Sequence, residues 1–243
     1  MAAILIIGAG SDIAHETARV YAEQGYDLYL AARNLPEVER IAQDIRVRTS
    51  REVISFFLDI TAFDTHADFY ASLPQKPIGV ISAVGYLGDQ VKAQKEFMEA
   101  KKIIDTNYTG VVSLLNIIAD DFEQRGEGFI VGISSVAGDR GRKSNYLYGS
   151  AKAGLTAYLS GLRNRLAASG VKVLTVKPGF VKTKMTEGLD LPEKLTASAT
   201  QVAHDIYHAQ QKGKDIVYTK WIWRWIMAII RAIPEWKFKG LSL

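Results

Sequence analysis

The sequence predicts a doubly wound α/β domain, a parallel sheet of seven strands covered by helices on both faces, with an amphipathic helix at the C-terminal end. Three observations predict it. Short apolar runs alternate with charged stretches of helical period along most of the chain, which is the βαβ pattern. The first run, Ala3 to Ile7, ends in Gly8 and opens onto a helical pattern from about Asp12 to Gln24. The chain has 243 residues, 48% hydrophobic and 23% charged, which is enough for the full core of one such domain.

Composition also excludes classes of function. There is no cysteine, so neither disulfides nor thiolate metal sites can form. That fits a cytoplasmic protein. The N-terminal stretch MAAILIIGAG has no basic region before its apolar run and reads as a buried strand rather than a signal peptide. A net charge of +4 without a dense basic stripe argues against nucleic acid as a partner.

The elements follow in order. Gly8, Gly10, Ser11, Asp12 and Ile13 join the first strand to the first helix. Free N–H groups and the helix dipole make such a turn an anion cradle, here expected to hold the phosphates of a dinucleotide. Asp27 to Ala32 is the second strand. Dinucleotide folds that take NAD place an acid at this strand's end for the ribose 2′-OH. This chain has Ala32 and then Arg33, whose guanidinium suits a 2′-phosphate, so NADP(H) is expected and NAD(H) is the alternative. Leu35 to Arg48 reads as an amphipathic helix, and Val53 to Leu58 as a third strand closed by Asp59 and Ile60. Asp59, Thr61 and Asp64 compete to cap the segment after it. Ile78 to Val84 is the fourth strand, and Glu96 to Gln124 a long helix containing Asn107.

Gly128 to Ile133 is the fifth strand and delivers Ser134 and Ser135. Tyr148 and Lys152 lie four apart, on one face of a helix that runs to about Ser169. An ammonium beside a phenol favours phenolate, so Lys152 is expected to lower the Tyr148 pKa and fit it for proton exchange with an alcohol or carbonyl oxygen. Ser135 can bond the same oxygen if the strand and helix are neighbours. Between them lie Arg140, Arg142 and Lys143, either a receptor for a phosphate-bearing substrate or a solvated loop. Val171 to Lys177 is the sixth strand, residues 184–199 are expected to form a mobile lid, Ala199 to Gln211 is a helix, and Asp215 to Thr219 is the last strand.

Ser134-Ser135-x-Ala137-Gly138, Tyr148-x-x-x-Lys152 and Pro178-Gly179-x-Val181-x-Thr183, in this order after a glycine-rich start, resemble the short-chain dehydrogenase/reductase family. The resemblance implies a single Rossmann-type domain over residues 1–219 that transfers hydride between a nicotinamide cofactor and a carbonyl or alcohol. By the same resemblance Asn107, Ser135, Tyr148 and Lys152 are the catalytic set, with Asn107 holding a water that links Lys152 to solvent. Asp59 would face the adenine, with Ile60, Ala83 and Gly85 nearby. Pro178, Gly179, Val181 and Thr183 would border the nicotinamide, and Tyr148 and Lys152 would also touch the cofactor. The helix after Tyr148 would form a dimer face, so a homodimer or homotetramer is expected. The chain departs from the family at two places. The T-G-x-x-x-G-x-G positions carry Ile7, Gly8, Asp12 and Ala14, and Ser82 and Ala83 stand where two asparagines are usual. The Asp12 charge must therefore turn away from a bound phosphate.

Residues 220–243 form a C-terminal amphipathic tail, with Trp221 to Ile233 reading WIWRWIMAIIRAI. Thirteen residues are too few to span a bilayer, which needs about 20. Tryptophans and two arginines around an apolar helix suit a lipid–water interface, and the alternative is a terminal helix buried in a dimer or closing the substrate pocket. Together with the stretches Asn107 to Thr109, Gly138 to Tyr146 and Tyr148 to Leu155, the tail resembles a narrower group of the family, the reductases of a keto-pentose carried on decaprenyl phosphate. That resemblance implies a lipid-linked sugar substrate, a flavin oxidase as partner in a two-step epimerisation, and a peripheral place on the inner face of the plasma membrane.

Overall fold

The computed structural model describes residues 2–241. Nine strands run in chain order: β1 Ala3–Ile7, β2 Asp27–Ala32, β3 Val53–Phe57, β4 Gly79–Ser82, β5 Phe129–Ile133, β6 Lys172–Pro178, β7 Phe180–Lys182, β8 Thr196–Ser198 and β9 Ile216–Thr219. Seven of them form one sheet in the order β3-β2-β1-β4-β5-β6-β9, every pair parallel, as the sequence predicts. β7 and β8 make a small parallel pair outside it.

The helices are α1 Asp12–Glu23, α2 Leu35–Thr49, α3 His66–Ala71, α4 Gln90–Ala93, α5 Phe97–Ile104, α6 Gly110–Arg125, α7 Tyr146–Leu166, α8 Ala199–Gln211, α9 Ile222–Ala232 and α10 Glu235–Phe238. Successive strand residues point to opposite faces. On one face Ile4, Ile6, Leu28, Leu30 and Val131 meet Ala18 and Tyr21 of α1, Ile41 and Ile45 of α2, and Ile206 of α8. On the other, Leu5, Ile7, Tyr29, Val80 and Ile130 meet Phe69 of α3, Leu114 and Ile118 of α6, and Leu155 and Leu159 of α7. Burial on both faces explains why the central strands are apolar throughout rather than alternating.

The chain order of the strands reverses between β1 and β4. Sheets of this kind bind ligands there, beyond the carboxyl ends of the strands. A cavity of about 960 Å³ lies at that position.

One expectation changes. The long helix expected from Glu96 is divided: α5 and α6 are separated by a π turn at Asp105–Thr109, which contains Asn107. Such turns often mark functional sites, because the extra residue reorients a side chain. The tail does not stand apart from the domain. Trp223 and Met227 of α9 are buried with Val136, and Phe180, Leu195 and Tyr218 pack around them.

Candidate active site

The nucleotide end of the cavity is built by the β1–α1 turn. Gly8 has φ +80°, and a side-chain carbon there would come within 2.9 Å of the Ala83 carbonyl, so the turn hugs the end of β4 as only glycine allows. Ser11 caps α1, its Oγ accepting from Ala14 N. Asp12 is turned away from the cradle: its Oδ2 accepts from Lys184 N at 2.7 Å. Lys184 Nζ in turn reaches Glu37 Oε1 at 2.9 Å. The segment after β7 is thus tied to both α1 and α2. Its Met185, Leu189 and Leu191 line the cavity.

The predicted contacts converge. Gly8, Gly10, Ser11, Asp12, Ile13, Arg33, Ile60, Ala83 and Gly85 line one stretch of the cavity, and Ser135, Tyr148, Lys152, Pro178, Gly179, Val181 and Thr183 line another. Asp59 does not line it. Its Oδ1 accepts from both the amide and the hydroxyl of Thr61, so it builds the turn after β3. Burial raises the Asp59 pKa, but the Thr61 bonds and the charges of Arg33 and His66 outweigh it and hold the carboxyl below its usual value.

At the reacting end, β5 presents Ser135 and α7 presents Tyr148 and Lys152. Ser135 Oγ accepts from Ala137 N at 3.1 Å, which orients it and leaves its proton to donate. Ser134 serves the frame, with Oγ on Lys152 O and Thr156 Oγ1. Lys152 Nζ donates to Val84 O at 3.1 Å and Ile133 O at 3.0 Å, linking the ends of β4 and β5, and lies 5.8 Å from the Tyr148 ring centroid.

The expected depression of the Tyr148 pKa is reversed. Burial pushes the phenol up to about 12, and the Ser135 hydroxyl offsets only part of this. Burial also lowers Lys152 from 10.5 to about 7, with no carboxylate among the described residues to hold its charge. A lysine that is itself losing its proton near neutrality brings little positive charge to the phenol, so desolvation prevails over the helix spacing. Tyr148 therefore keeps its proton at neutral pH.

Asn107 sits behind this set, fully buried. Its Nδ2 donates to Ile103 O and Tyr86 O, and its Oδ1 accepts from Tyr86 N. The side chain clamps the loop that follows β4, so any contact with a water falls to the backbone.

The three loop cations part company. Arg140 faces the tail: Nη1 donates to Ile230 O and Ile233 O, Nη2 meets Glu235 Oε2, and the guanidinium lies 3.7 Å from the Phe238 ring centroid. It is a tie between this loop and α9–α10. Lys143 does not line the cavity, whereas Arg142 does. Sequence reasoning missed the Asp12–Lys184–Glu37 tie, since 172 and 147 residues separate the partners and no local pattern relates them.

A model of the family described as short chain dehydrogenase matches residues 2–194. The chain belongs to this family. Short-chain dehydrogenases are NAD(P)-dependent oxidoreductases, and this protein is one of them. An uncharacterized oxidoreductase of Mycobacterium tuberculosis is 37% identical, over 99% of this chain and 97% of its own. One from Streptomyces coelicolor is 33% identical, over 98% and 95%. Among solved structures, a short-chain dehydrogenase from Sphingobium yanoikuyae in complex with NADPH superimposes with a TM-score of 0.84 at 22% identity, covering 100% of this chain and 99% of that one. An actinorhodin polyketide ketoreductase with NADPH gives 0.80 at 20% identity, covering 89% and 95%. At these identities the structures speak for the fold.

Proposed function

We propose that this short-chain dehydrogenase is an NADP(H)-dependent carbonyl reductase whose catalytic residues are Ser135, Tyr148 and Lys152. The observation that carries the reading is the meeting of these three side chains in the same cavity that the glycine cradle and Arg33 line. The donor set fits a dinucleotide. The β1–α1 turn would hold the pyrophosphate, Arg33 the 2′-phosphate, and the Pro178–Thr183 turn the nicotinamide. The NADPH named with two of its structural relatives supports the phosphorylated cofactor. When bound, the nicotinamide supplies the hydride. Ser135 donates a hydrogen bond to the carbonyl oxygen, and Tyr148, protonated at neutral pH, gives that oxygen its proton. Lys152 holds the cofactor ribose and, through a water carried by the Asn107 backbone, returns a proton to Tyr148. Tyr148→Phe should leave NADPH binding intact and lower turnover at least 100-fold. Near wild-type turnover would sink the assignment.

The substrate reading is narrower: a keto sugar on a polyprenyl phosphate, reduced at a membrane surface, as in decaprenylphosphoryl-2-keto-erythro-pentose reductase. Its supports are the motif resemblance and the tail. Trp221, at the N-cap of α9, and Trp225 and Ile229, at spacings of four along it, are 72%, 59% and 69% exposed, and Trp236 is 69% exposed. Arg224, Arg231 and Lys237 accompany them, the composition of an interfacial helix. Among the described residues no helix is long and apolar enough to cross a membrane. The flavin oxidase partner, the homodimer or homotetramer and the inner-face location belong to the same reading and rest on resemblance. A soluble ketone is the second reading, favoured by Trp223, whose indole packs against Gly179, a residue that lines the cavity, so that α9 braces this wall from behind. NADPH oxidation with a polyprenyl-phosphate keto-pentose, against simple ketones, separates the two. Turnover of simple ketones alone would retire the lipid-linked substrate.

A further inference from the structure

Arg142 is a cation without a counterpart. It lines the cavity, its Nε is buried, and among the described residues no hydrogen bond or ion pair reaches its guanidinium. The acid whose charge it feels is already engaged: Asp139 Oδ1 is held by Lys177 Nζ, and Oδ2 by the Tyr218 hydroxyl at 2.9 Å. Desolvation lowers the Arg142 pKa despite Asp139, as it does where a charge has been taken from water without compensation. Asn145, on the same turn through its amide to Arg142 O, also lines the cavity and has a buried Oδ1 with no partner. The same cavity is also lined by apolar Leu87, Met185, Leu189 and Leu191. Two unpaired polar groups on one turn, in a built cavity with apolar lining, are a half-made binding site.

We propose that Arg142 and Asn145 form an oxyanion-recognition subsite at the substrate end of the cavity, selecting ligands that join a phosphate-type anion and a hydroxyl to an apolar body. The guanidinium fork takes two oxygens of the anion, and Asn145 Oδ1 accepts from the hydroxyl. A compact ammonium could match the charge but not the fork. Of the three cations in this loop, Arg142 is the one available, because Arg140 is consumed by the tail. The inference rests on the reductase reading only for the name of the cavity's end.

The test is titration calorimetry on protein saturated with NADPH, so that the cofactor's own phosphate sites are filled. The probes are hexyl phosphate, hexanoate, inorganic phosphate and hexanol. Hexyl phosphate should bind, inorganic phosphate and hexanol more weakly, and hexanoate should report whether any oxyanion suffices. Arg142→Met should weaken hexyl phosphate roughly 10- to 100-fold, with Arg142→Lys in between. Equal binding by wild type and Arg142→Met overturns the proposal. So does a fall in NADPH affinity with hexyl phosphate unaffected, which would assign the guanidinium to the cofactor. Thermal unfolding of both variants checks the fold, and Arg142→Lys keeps the test alive should Arg142→Met fail to fold. NADPH oxidation by the wild type is read separately: binding without turnover of any ketone sinks the reductase reading and leaves the subsite standing.

Discussion

Lys152 offers a prediction whose size follows from its surroundings. Its residue is 2% exposed, and its ammonium is held by the carbonyls of Val84 and Ile133 alone. Burial lowers its pKa from 10.5 to about 7. Between those values the unfolded chain carries a proton that the folded chain has released. Stability rises with pH wherever the unfolded state binds more protons, so this lysine makes the fold more stable as pH climbs above 7. Each pH unit is worth up to about 1.4 kcal/mol, or roughly 2–3 kcal/mol between pH 7 and 9. Tyr148, raised to about 12, stays neutral throughout and does not cancel the effect. Lys152→Met removes the titration. It also strips the two carbonyls of their donor, a pH-independent loss of about 1–3 kcal/mol. Urea unfolding of both proteins without cofactor, at intervals from pH 6 to 9, gives the difference curve. Groups common to both cancel, and the advantage of wild type should widen by roughly 2–3 kcal/mol between pH 7 and 9. Parallel curves would refute the reasoning and mean that Lys152 stays charged where it is.

Arg33→Asp should shift preference from NADPH toward NADH in kcat/KM; an unchanged ratio would remove Arg33 from the 2′-phosphate site. Gly179→Ala would put a carbon 1.9 Å from Trp223 Nε1, which itself donates to Leu195 O at 3.1 Å, so the tail must shift. The expected loss is about 1–3 kcal/mol of stability, with earlier proteolysis in α9, and a neutral result would show that the tail docks elsewhere. Replacing Trp221 and Trp225 together by Ser should abolish flotation with anionic liposomes without lowering the melting temperature, since both side chains face solvent. Retained flotation by the variant would remove these tryptophans from the membrane reading, and a wild type that does not float would retire that reading.

The sequence by itself determined the sheet, its parallel sense, the cradle at Gly8, and the pairing of Tyr148 with Lys152 on one helix face. These are legible because they rest on local periodicity and on short spacings along a strand or helix. Asn107 shows where that ends: its residue type marked it, but the π turn that buries its side chain against Tyr86 depends on packing between α5, α6 and the loop after β4. Only the tertiary structure decided which charges remain free. Arg140, Arg142 and Lys143 are near neighbours in sequence, yet the docking of α9 consumes Arg140, Asp139 is spent on Lys177 and Tyr218, and Arg142 is left facing the cavity. The Tyr148 pKa belongs to the same class. Helix spacing predicts the neighbour, but burial sets the energy of a charge, and burial is a property of everything packed around it.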